Sequence, residues 1–266
     1  QRSLVGSEMC IRDSVYVAPG NPAMTLLGVD PINIDDNDFT KLIDFAETHQ
    51  IDLTFVGPEV PLAAGIVDAF QAADQPIFGV TKKVAQLEAS KTFAKDFMAR
   101  HQLPTAASKT VHNAIDAHAE AATMGLPLVL KKDGLAAGKG VVIAQDAETL
   151  DETIEKMYAD HPDATVLLEQ YLAGEEASVM ALFNGEKRVI LPLSQDHKRR
   201  FANDRGPNTG GMGAISPLPQ FNDDQVAAAH QLVDATLKGM QADGLDGQGV
   251  MYIGLIFTPD LSLIHI

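Results

Sequence analysis

The chain has 266 residues, of which 45% are hydrophobic and 21% are charged, and its formal net charge is −16. This length allows one or two domains, and the composition is that of a packed globular protein. The acidity argues against binding to a nucleic-acid backbone, and we expect neither a nucleic-acid partner nor a membrane partner.

Both ends of the chain carry runs that have no folding explanation. Met9–Ser14 can be encoded by DNA whose reverse complement, once completed by a base, encodes Leu261–Ile266. The pair resembles translated sequencing-adapter DNA, so we expect residues 1–14 and 261–266 to be foreign to the fold. The genuine chain, from about Val15 to Asp260, would then be a gene fragment.

The cysteine count and the apolar segments indicate where in the cell the protein is located. Cys10 is the only cysteine in the sequence and lies in the first foreign run. The genuine part therefore offers neither a disulfide nor a cysteine nucleophile, which fits a reducing cytoplasm. Leu261–Ile266 is too short to span a bilayer, and residues 1–14 lack the apolar stretch of a signal peptide. We expect a cytoplasmic protein.

Strand and helix signals alternate in the first third of the genuine chain. This rhythm implies parallel strands joined by crossover helices, in a domain over residues 15–81 whose first strand–helix unit is missing. The predicted elements are, in order, a strand at Val15–Ala18, a helix at Asp38–Gln50, a strand at Leu53–Val56, a helix at Leu62–Ala73 and a strand at Pro76–Gly79.

The turns that follow two of these strands are candidate ligand loops. Ligands of parallel sheets bind beyond the carboxyl ends of the strands. Gly20 and Asn21 follow the first predicted strand, and Glu59 follows the second. Simple turns are an equally good interpretation of either run alone.

A second domain is predicted over residues 82–260. The dipeptide Asn184-Gly185 between two strand signals indicates a hairpin. Helices are predicted at Lys82–His101, Asn113–Met124, Ala147–Tyr158 and Asp223–Gln241. Strands are predicted at Leu128–Lys131, Val141–Ala144, Val166–Gln170, Glu176–Phe183, Arg188–Leu193 and Gly249–Thr258.

A glycine-rich turn connects two strands at Lys131–Val141. Its small residues could fold over a polyphosphate, and Lys131 at the strand end could reach the phosphates. The run is not a P-loop, because neither Ser nor Thr follows Lys139 and the next element is a strand. The turn favours nucleotide binding, with an ordinary hairpin turn as the alternative.

An acidic pattern follows the strand at Val166–Gln170. Glu169 lies near the strand end, Leu172 follows it, and Glu175 and Glu176 come after a glycine. An adenine needs an apolar slot with main-chain hydrogen bonds, and ribose hydroxyls need a carboxylate acceptor, so this order suits a nucleoside. A solvated acidic turn is the competing interpretation.

Two unusual runs lie close together, Ser194–Arg199 and Gly206–Ala214. The first places Asp196, His197 and Lys198 side by side, which suits recognition of an amine and an anion. We favour a structural role for His197 over that of a general base. The second run is too rich in glycine for a helix or a strand, and its backbone N–H groups could wrap an anion.

Together these runs resemble one family. The stretches VAPGN, VGPE, DGLAAGKGV, GEEAS, SQDHKR and GPNTGGMG are similar to those of the phosphoribosylamine–glycine ligase family, in the ATP-grasp superfamily, over all of Val15–Asp260. The resemblance implies an α/β fold with a truncated parallel-sheet N-terminal domain followed by an incomplete ATP-grasp domain. It also implies ATP-dependent ligation of glycine to 5-phosphoribosylamine through a glycyl phosphate.

The resemblance also implies residue roles. Lys91 and Lys131 would contact the ATP phosphates, and Lys131, Asp196 and Lys198 would be catalytic. The glycine turn, with Gly134, Gly138, Lys139 and Gly140, would form a lid. Glu169 and Leu172 would lie at the adenine and Glu176 at the ribose, with Glu175 as the rival. The substrate pocket would include Asp196, Lys198, Asn208, Thr209, Gly210, Gly211 and Met212, with Gly20, Asn21 and Glu59 as further substrate contacts.

The sequence departs from the family pattern in three places. A first strand with an Arg-containing glycine turn, a Glu-x-Asn pair that binds Mg²⁺ and a C-terminal domain are all absent between Val15 and Asp260. We expect ATP with Mg²⁺, or Mn²⁺, as cofactors of the parent protein, no metal ligand in this chain, and an inactive, weakly stable monomer. Another ATP-grasp ligase and a non-catalytic nucleotide-binding fragment are the alternatives.

Overall fold

The computed structural model describes residues 14–135, 140–202, 205–209, 211–259 and 263–265. The chain divides into two compact units between Lys82 and Lys83. Among the described residues, no helix is both long enough and apolar enough to cross a bilayer.

The first unit is built from short parallel strand pairs and helices, as the sequence predicts. Its elements are β1 (Tyr16–Val17), a 3-10 helix (Pro22–Leu27), β2 (Asp30–Pro31), α1 (Phe39–Thr48), β3 (Thr54–Phe55), α2 (Glu59–Ala64), α3 (Ile66–Ala72) and β4 (Ile77–Phe78). Strand β1 pairs with β2 and β3 pairs with β4, both in parallel. Phe70, Val67 and Ile66 of α3 pack with Val56 and Ile77 in its core.

The predicted helix Leu62–Ala73 is wrong in its bounds and continuity. The helical segment begins at Glu59, after the extended residue Pro58. Gly65 then interrupts it with a φ of 103°, a conformation that glycine adopts without steric cost. Its N–H bonds the carbonyls of Pro61 and Leu62 and thereby ends α2.

The second unit contains antiparallel sheets and the remaining helices. Its helices are α4 (Gln86–Ala89), α5 (Lys91–Arg100), α6 (Ala114–Met124), α7 (Ala147–Tyr158) and α8 (Asp223–Ala242). Its strands are β5 (Ser108–Val111), β6 (Leu128–Lys132), β7 (Val141–Ala144), β8 (Val166–Gln170), β9 (Glu175–Asn184), β10 (Lys187–Ile190), β11 (Gln195–Asp196), β12 (Arg199–Phe201), β13 (Arg205–Asn208), β14 (Ala214–Ile215), β15 (Gln248–Phe257) and β16 (Leu263–His265).

One four-stranded sheet has the order β5-β8-β6-β7. One of its faces packs on α6 and α7, where Leu128, Leu130, Val166, Leu168 and Ile154 are buried. Because side chains alternate across a strand, Lys131, Leu167 and Glu169 belong to the opposite face. The sheet therefore separates an apolar core from a face that carries charge.

The other four-stranded sheet has the order β10-β9-β15-β16. Strands β9 and β15 pair along their full length, from Asn184 opposite Gln248 to Glu175 opposite Phe257. The predicted hairpin is confirmed, with Asn184 opposite Lys187. This long ladder fixes the position of Glu175 and Glu176 at the start of β9.

The structure differs from the expectations of the sequence in three further places. The single helix Lys82–His101 is wrong, because Ser90 is extended (φ −130°, ψ 113°) and caps a new helix by accepting from the Phe93 amide. Strand β5 was not predicted. The run Gly206–Ala214 is partly strand, since β13 pairs with β12 and β14 pairs with β11, so local glycine content is overridden by tertiary pairing.

Candidate active site

A cluster of two partly buried lysines around one buried glutamate lies on the charged face of the first sheet. Glu169 and Lys131 are diagonal neighbours on β8 and β6, and Lys131 Nζ lies 2.6 Å from Glu169 Oε1. Lys95 of α5 lies 2.6 Å from the other oxygen, Oε2. The Glu169 side chain is only 3% exposed. Its charge is therefore compensated by a cation at each oxygen, as buried carboxylates require.

Lys95 is held from several directions. Its ammonium also donates to Thr105 Oγ1 at 2.7 Å and to the Ala106 carbonyl at 3.0 Å. Burial lowers the pKa of Lys95 below its usual value, although the nearby Glu169 carboxylate counteracts this effect. No role for Lys95 follows from the sequence. Its spacing of four residues from Lys91 on one helix is the signal that could have indicated one.

Asp133 connects the glycine turn to the start of α5. Its Oδ1 accepts from the amides of Lys91 at 2.6 Å and Gly134 at 3.0 Å, and Oδ2 accepts from the hydroxyls of Thr92 and Ser90 at 3.1 and 3.2 Å. Burial raises the pKa of the Asp133 carboxyl, but these hydrogen bonds outweigh it and hold the pKa below the usual value. Asp133 was missed as a functional residue, although it directly follows Lys131-Lys132.

Lys91 is the first residue of α5 and lies beside the glycine turn. Its Nζ donates to the Gly134 carbonyl at 2.8 Å. Burial lowers the pKa of Lys91, Asp133 and Glu88 oppose that change, and Lys131 adds to it. Lys91 therefore contacts Gly134, and Lys131, which the sequence also singles out, is close enough for its charge to affect that of Lys91.

The glycine turn itself is described in part. Gly134 has a φ of 93°, and the Lys132 amide donates to the Gly140 carbonyl at 2.9 Å, which closes the base of the turn. The predicted residues Gly138 and Lys139 lie outside the described part of the chain.

The predicted nucleoside residues lie along one connection between the two sheets. Leu172, between β8 and β9, is half-buried, whereas Glu175 and Glu176 are exposed at the start of β9. Gly174 precedes them at a crowded position, because a methyl group there would overlap the Phe257 carbonyl oxygen. A glycine is therefore required where this connection meets β15.

A second charged cluster surrounds Lys198. Lys198 Nζ lies 3.3 Å from Asp196 Oδ2. Burial lowers the pKa of Lys198, but Tyr252, Asp196 and Glu176 together outweigh it and raise the pKa above the usual value. The hydroxyl of Ser178 donates to Tyr252 Oη at 2.9 Å. Tyr252 and Ser178 were missed, because each lies within a strand whose pattern indicated only packing.

Short strands and turns shape the predicted anion loop. The Thr209 amide and hydroxyl both donate to the Lys198 carbonyl, and the Gly211 amide donates to Thr209 Oγ1. The Met212 amide donates to the His197 carbonyl, and the Met212 side chain is exposed. The loop is thereby attached to Lys198. Gly210 and the side chain of Asn208 lie outside what the structure describes.

The remaining predicted contacts belong to the first unit. Gly20 has a φ of 64° and lies against Pro31 and the Val17 carbonyl. Asn21 Oδ1 accepts from the Ala23 amide at 3.0 Å and so caps the 3-10 helix. Glu59 is the exposed first residue of α2. Each follows a parallel strand, as the sequence predicts.

No cluster of three or more His, Cys, Asp or Glu side chains that could hold a metal ion occurs among the described residues. The lysine-rich site instead offers cations and backbone groups. Its chemistry suits an anionic ligand such as a polyphosphate, with a separate cation and carboxylate at Lys198 and Asp196.

Comparisons with known proteins agree with this arrangement. Residues 4–88 match the family model "phosphoribosylglycinamide synthetase, N domain", and residues 89–264 match "phosphoribosylglycinamide synthetase, ATP-grasp (A) domain". A phosphoribosylamine–glycine ligase of Streptococcus pyogenes is 46% identical over 253 residues, which are 93% of this chain and 60% of that protein. The chain thus spans about 60% of the length of the curated relatives it matches.

Solved structures show the same fold. A phosphoribosylamine–glycine ligase of Thermotoga maritima superposes with a TM-score of 0.78 at 29% identity, and the match covers 95% of this chain and 61% of that one. A carboxyaminoimidazole ribonucleotide synthase of Aspergillus clavatus, solved with ATP, gives a TM-score of 0.71 at 16% identity, with 97% and 63% covered. With both family models matched, the chain belongs to the phosphoribosylglycinamide synthetase family and carries its N domain and ATP-grasp domain.

Proposed function

We propose that this chain supplies the nucleotide-binding and substrate-binding parts of an ATP-dependent ligase that joins glycine to 5-phosphoribosylamine. The observation that carries the proposal is that Asp133 and Gly134, which follow Lys131 at the end of β6, bind Lys91 at the start of α5, in a chain of this family. Two cations beside a glycine-rich backbone form a binding site for phosphate oxygens.

The nucleotide would lie between the two sheets of the second unit. Lys91 and Lys131 would contact its phosphates. The turn from Gly134 to Gly140, with Gly138 and Lys139, would close over them and exclude water. Glu169 and the half-buried Leu172 would lie at the adenine, and Glu176, with Glu175 as the alternative, would accept from the ribose hydroxyls.

The proposed reaction has two steps. A glycine carboxylate oxygen attacks the γ-phosphorus of ATP, so that ADP leaves and an acyl phosphate forms. The amine nitrogen of 5-phosphoribosylamine then attacks the acyl carbon, phosphate leaves, and the nitrogen loses a proton to give the amide. No covalent nucleophile of the protein is needed, because catalysis by Lys131, Asp196 and Lys198 is positioning and charge compensation.

The acceptor side would be formed around Lys198. Asp196 suits an ammonium or amine, and Lys198 suits an anionic oxygen. The attached loop, with Asn208, Thr209, Gly210, Gly211 and Met212, would present backbone N–H groups to the substrates. Gly20, Asn21 and Glu59 are proposed as further substrate contacts from the first unit.

We further propose Mg²⁺, or Mn²⁺, as the ion that accompanies ATP in the parent enzyme. The described residues contain no carboxylate or imidazole cluster that fits it, so no step here is assigned to the metal. Neither nucleic acid nor a membrane is proposed as a partner, and a monomeric cytoplasmic protein is proposed.

The proposed domains cover residues 15–81 and 82–260, between foreign ends at 1–14 and 261–266. Leu263–His265 nevertheless forms β16 on β15, so the foreign origin of residues 261–266 rests on the reverse-complement relation alone. Sequencing unamplified DNA across both junctions tests it. Native codons in place of these ends would support the proposal, and the same codons in genomic DNA would contradict it.

The functional test is titration of the 266-residue chain with ATP by isothermal calorimetry. We expect binding that weakens at least tenfold in Lys131→Met, about 1.4 kcal/mol, but not in Lys187→Met, an exposed lysine of β10. We expect no glycine-dependent ADP release from this chain in the presence of 5-phosphoribosylamine, because the described residues contain no cluster that could hold Mg²⁺, and release at the rate of an intact ligase would contradict that expectation. Absence of ATP binding by the unsubstituted chain would contradict the proposed function.

A further inference from the structure

Lys95 is a partly buried cation that the proposed reaction does not use. Its side chain is 11% exposed and lies 2.6 Å from Glu169 Oε2. It is also fixed by Thr105 Oγ1 and by the Ala106 carbonyl. Three acceptors around one ammonium leave it little freedom to turn toward a ligand.

Lys131 is placed differently around the same carboxylate. It lies 2.6 Å from Glu169 Oε1, near the end of β6 and shortly before the glycine turn, with its side chain 15% exposed. Each carboxylate oxygen therefore has its own lysine. Lys95 at Oε2 is fixed, whereas Lys131 at Oε1 lies at the edge of the proposed phosphate site.

Binding of a phosphate by Lys131 has an electrostatic consequence for Glu169. If Lys131 turns from Oε1 toward a phosphate oxygen, a carboxylate that is 3% exposed loses one of its two cations. A buried charge left without a partner is strongly destabilising. Lys95 would remain at Oε2, so the buried carboxylate would keep one cation.

We propose that Lys95 is a positioning residue, which keeps Glu169 compensated and so allows Lys131 to exchange the carboxylate for the phosphates of a nucleotide. This inference rests on the proposed nucleotide site. Lys95 itself touches neither the nucleotide nor the reacting atoms. Its effect is therefore specific to the phosphate part of the ligand, whereas a purely structural lysine would affect all parts of the ligand alike.

The test compares the dissociation constants of ATP and adenosine by competition calorimetry at one ionic strength. The ratio of the two constants isolates the phosphate contribution. In Lys95→Met we expect ATP binding to weaken about tenfold or more while adenosine binding changes less than about threefold. Lys187→Met is the control and leaves the ratio unchanged.

A second substitution gives the expected rescue. In Lys95→Met/Glu169→Gln no buried carboxylate holds Lys131, so the ratio returns to within about threefold of that of Glu169→Gln alone. Any effect of Glu169→Gln on adenine binding cancels, because it enters both constants. In Lys95→Arg, which retains the charge, we expect the ratio of the two dissociation constants to stay close to that of the unsubstituted chain. Thermal melts establish that each variant is folded.

The outcomes are distinct. An unchanged ratio in Lys95→Met, or an equal loss of ATP and adenosine binding, overturns the role of Lys95 and leaves the proposed function standing. A phosphate contribution that stays weakened when Lys95→Met is combined with Glu169→Gln also overturns it. If Lys95→Met does not fold, the comparison of Glu169→Gln with the double variant decides. Failure of the unsubstituted chain to bind ATP overturns the proposed function and this inference together.

Discussion

Asp133 Oδ1 accepts a hydrogen bond from the Lys91 amide at 2.6 Å, so the residue that precedes the glycine turn also caps the helix that presents Lys91. The same oxygen accepts from the Gly134 amide. A carboxylate at a helix N-terminus is favoured by the unpaired amides and by the helix dipole. The Asp133 side chain therefore connects the first residue of the proposed lid, Gly134, to Lys91, a proposed contact of the nucleotide phosphates.

Asp133→Ala should destabilise the second unit by about 1–2 kcal/mol, because it removes the acceptor of the Lys91 amide and of the Ser90 and Thr92 hydroxyls at the start of α5. Urea denaturation measures the change in unfolding free energy. Asp146→Ala is the control, since Asp146 caps the exposed start of α7 by accepting from Thr149 alone, and its loss should be smaller. Equal losses in the two variants would show that Asp133 is an ordinary surface cap.

The pKa of Asp133 predicts a stability change at low pH. Its folded-state pKa is below the usual value, so the ionised carboxylate stabilises the fold above the unfolded-state pKa of about 3.9. That contribution is lost as the pH falls through the lower folded-state pKa. The stability difference between the unsubstituted chain and Asp133→Asn should therefore shrink between about pH 6 and about pH 2, measured by urea denaturation along that range. A constant difference would contradict the lowered pKa.

Gly174→Ala should destabilise the chain by about 1–3 kcal/mol, because the added methyl group would overlap the Phe257 carbonyl oxygen and lie 2.5 Å from Ile256 Cγ2. The expected result is a lower melting temperature and separation of the start of β9 from β15, visible as faster amide hydrogen exchange there. Gly247→Ala is the matched control, since no atom lies within 4 Å of its added methyl group. Similar melting temperatures for both variants would show that the connection adjusts freely.

Asp196→Asn should lower the pKa of Lys198, because it removes one of the negative charges that raise it. NMR titration of the Lys198 side chain, assigned with Lys198→Arg, gives the pKa directly. Glu176→Gln should lower the pKa less, since Glu176 contributes less than Asp196. If the pKa of Lys198 is unchanged in Asp196→Asn, the two side chains do not interact in solution. That result would contradict their assignment to one substrate pocket.

Much of the second unit could be predicted because its local signals agree with its tertiary packing. Helix α7 and strand β8 occupy the ranges Ala147–Tyr158 and Val166–Gln170 that the hydrophobic pattern predicts. The predictions failed where one residue or a distant partner decided. Gly65 and Ser90 each interrupt a continuous helical pattern, and Gly206 lies in a strand because β12 lies opposite.

The sequence by itself determined the order of elements, the family and the residue types available for binding phosphate, because periodicity and motif are local properties. It also indicated Lys91, Lys131 and Glu169 separately. Only the tertiary structure decided that Lys95 compensates Glu169 and that Asp133 caps α5, since the partners in each pair lie far apart in the chain and meet through sheet register and helix packing. The charge balance of the site is a property of those long-range contacts, and no local pattern contains it.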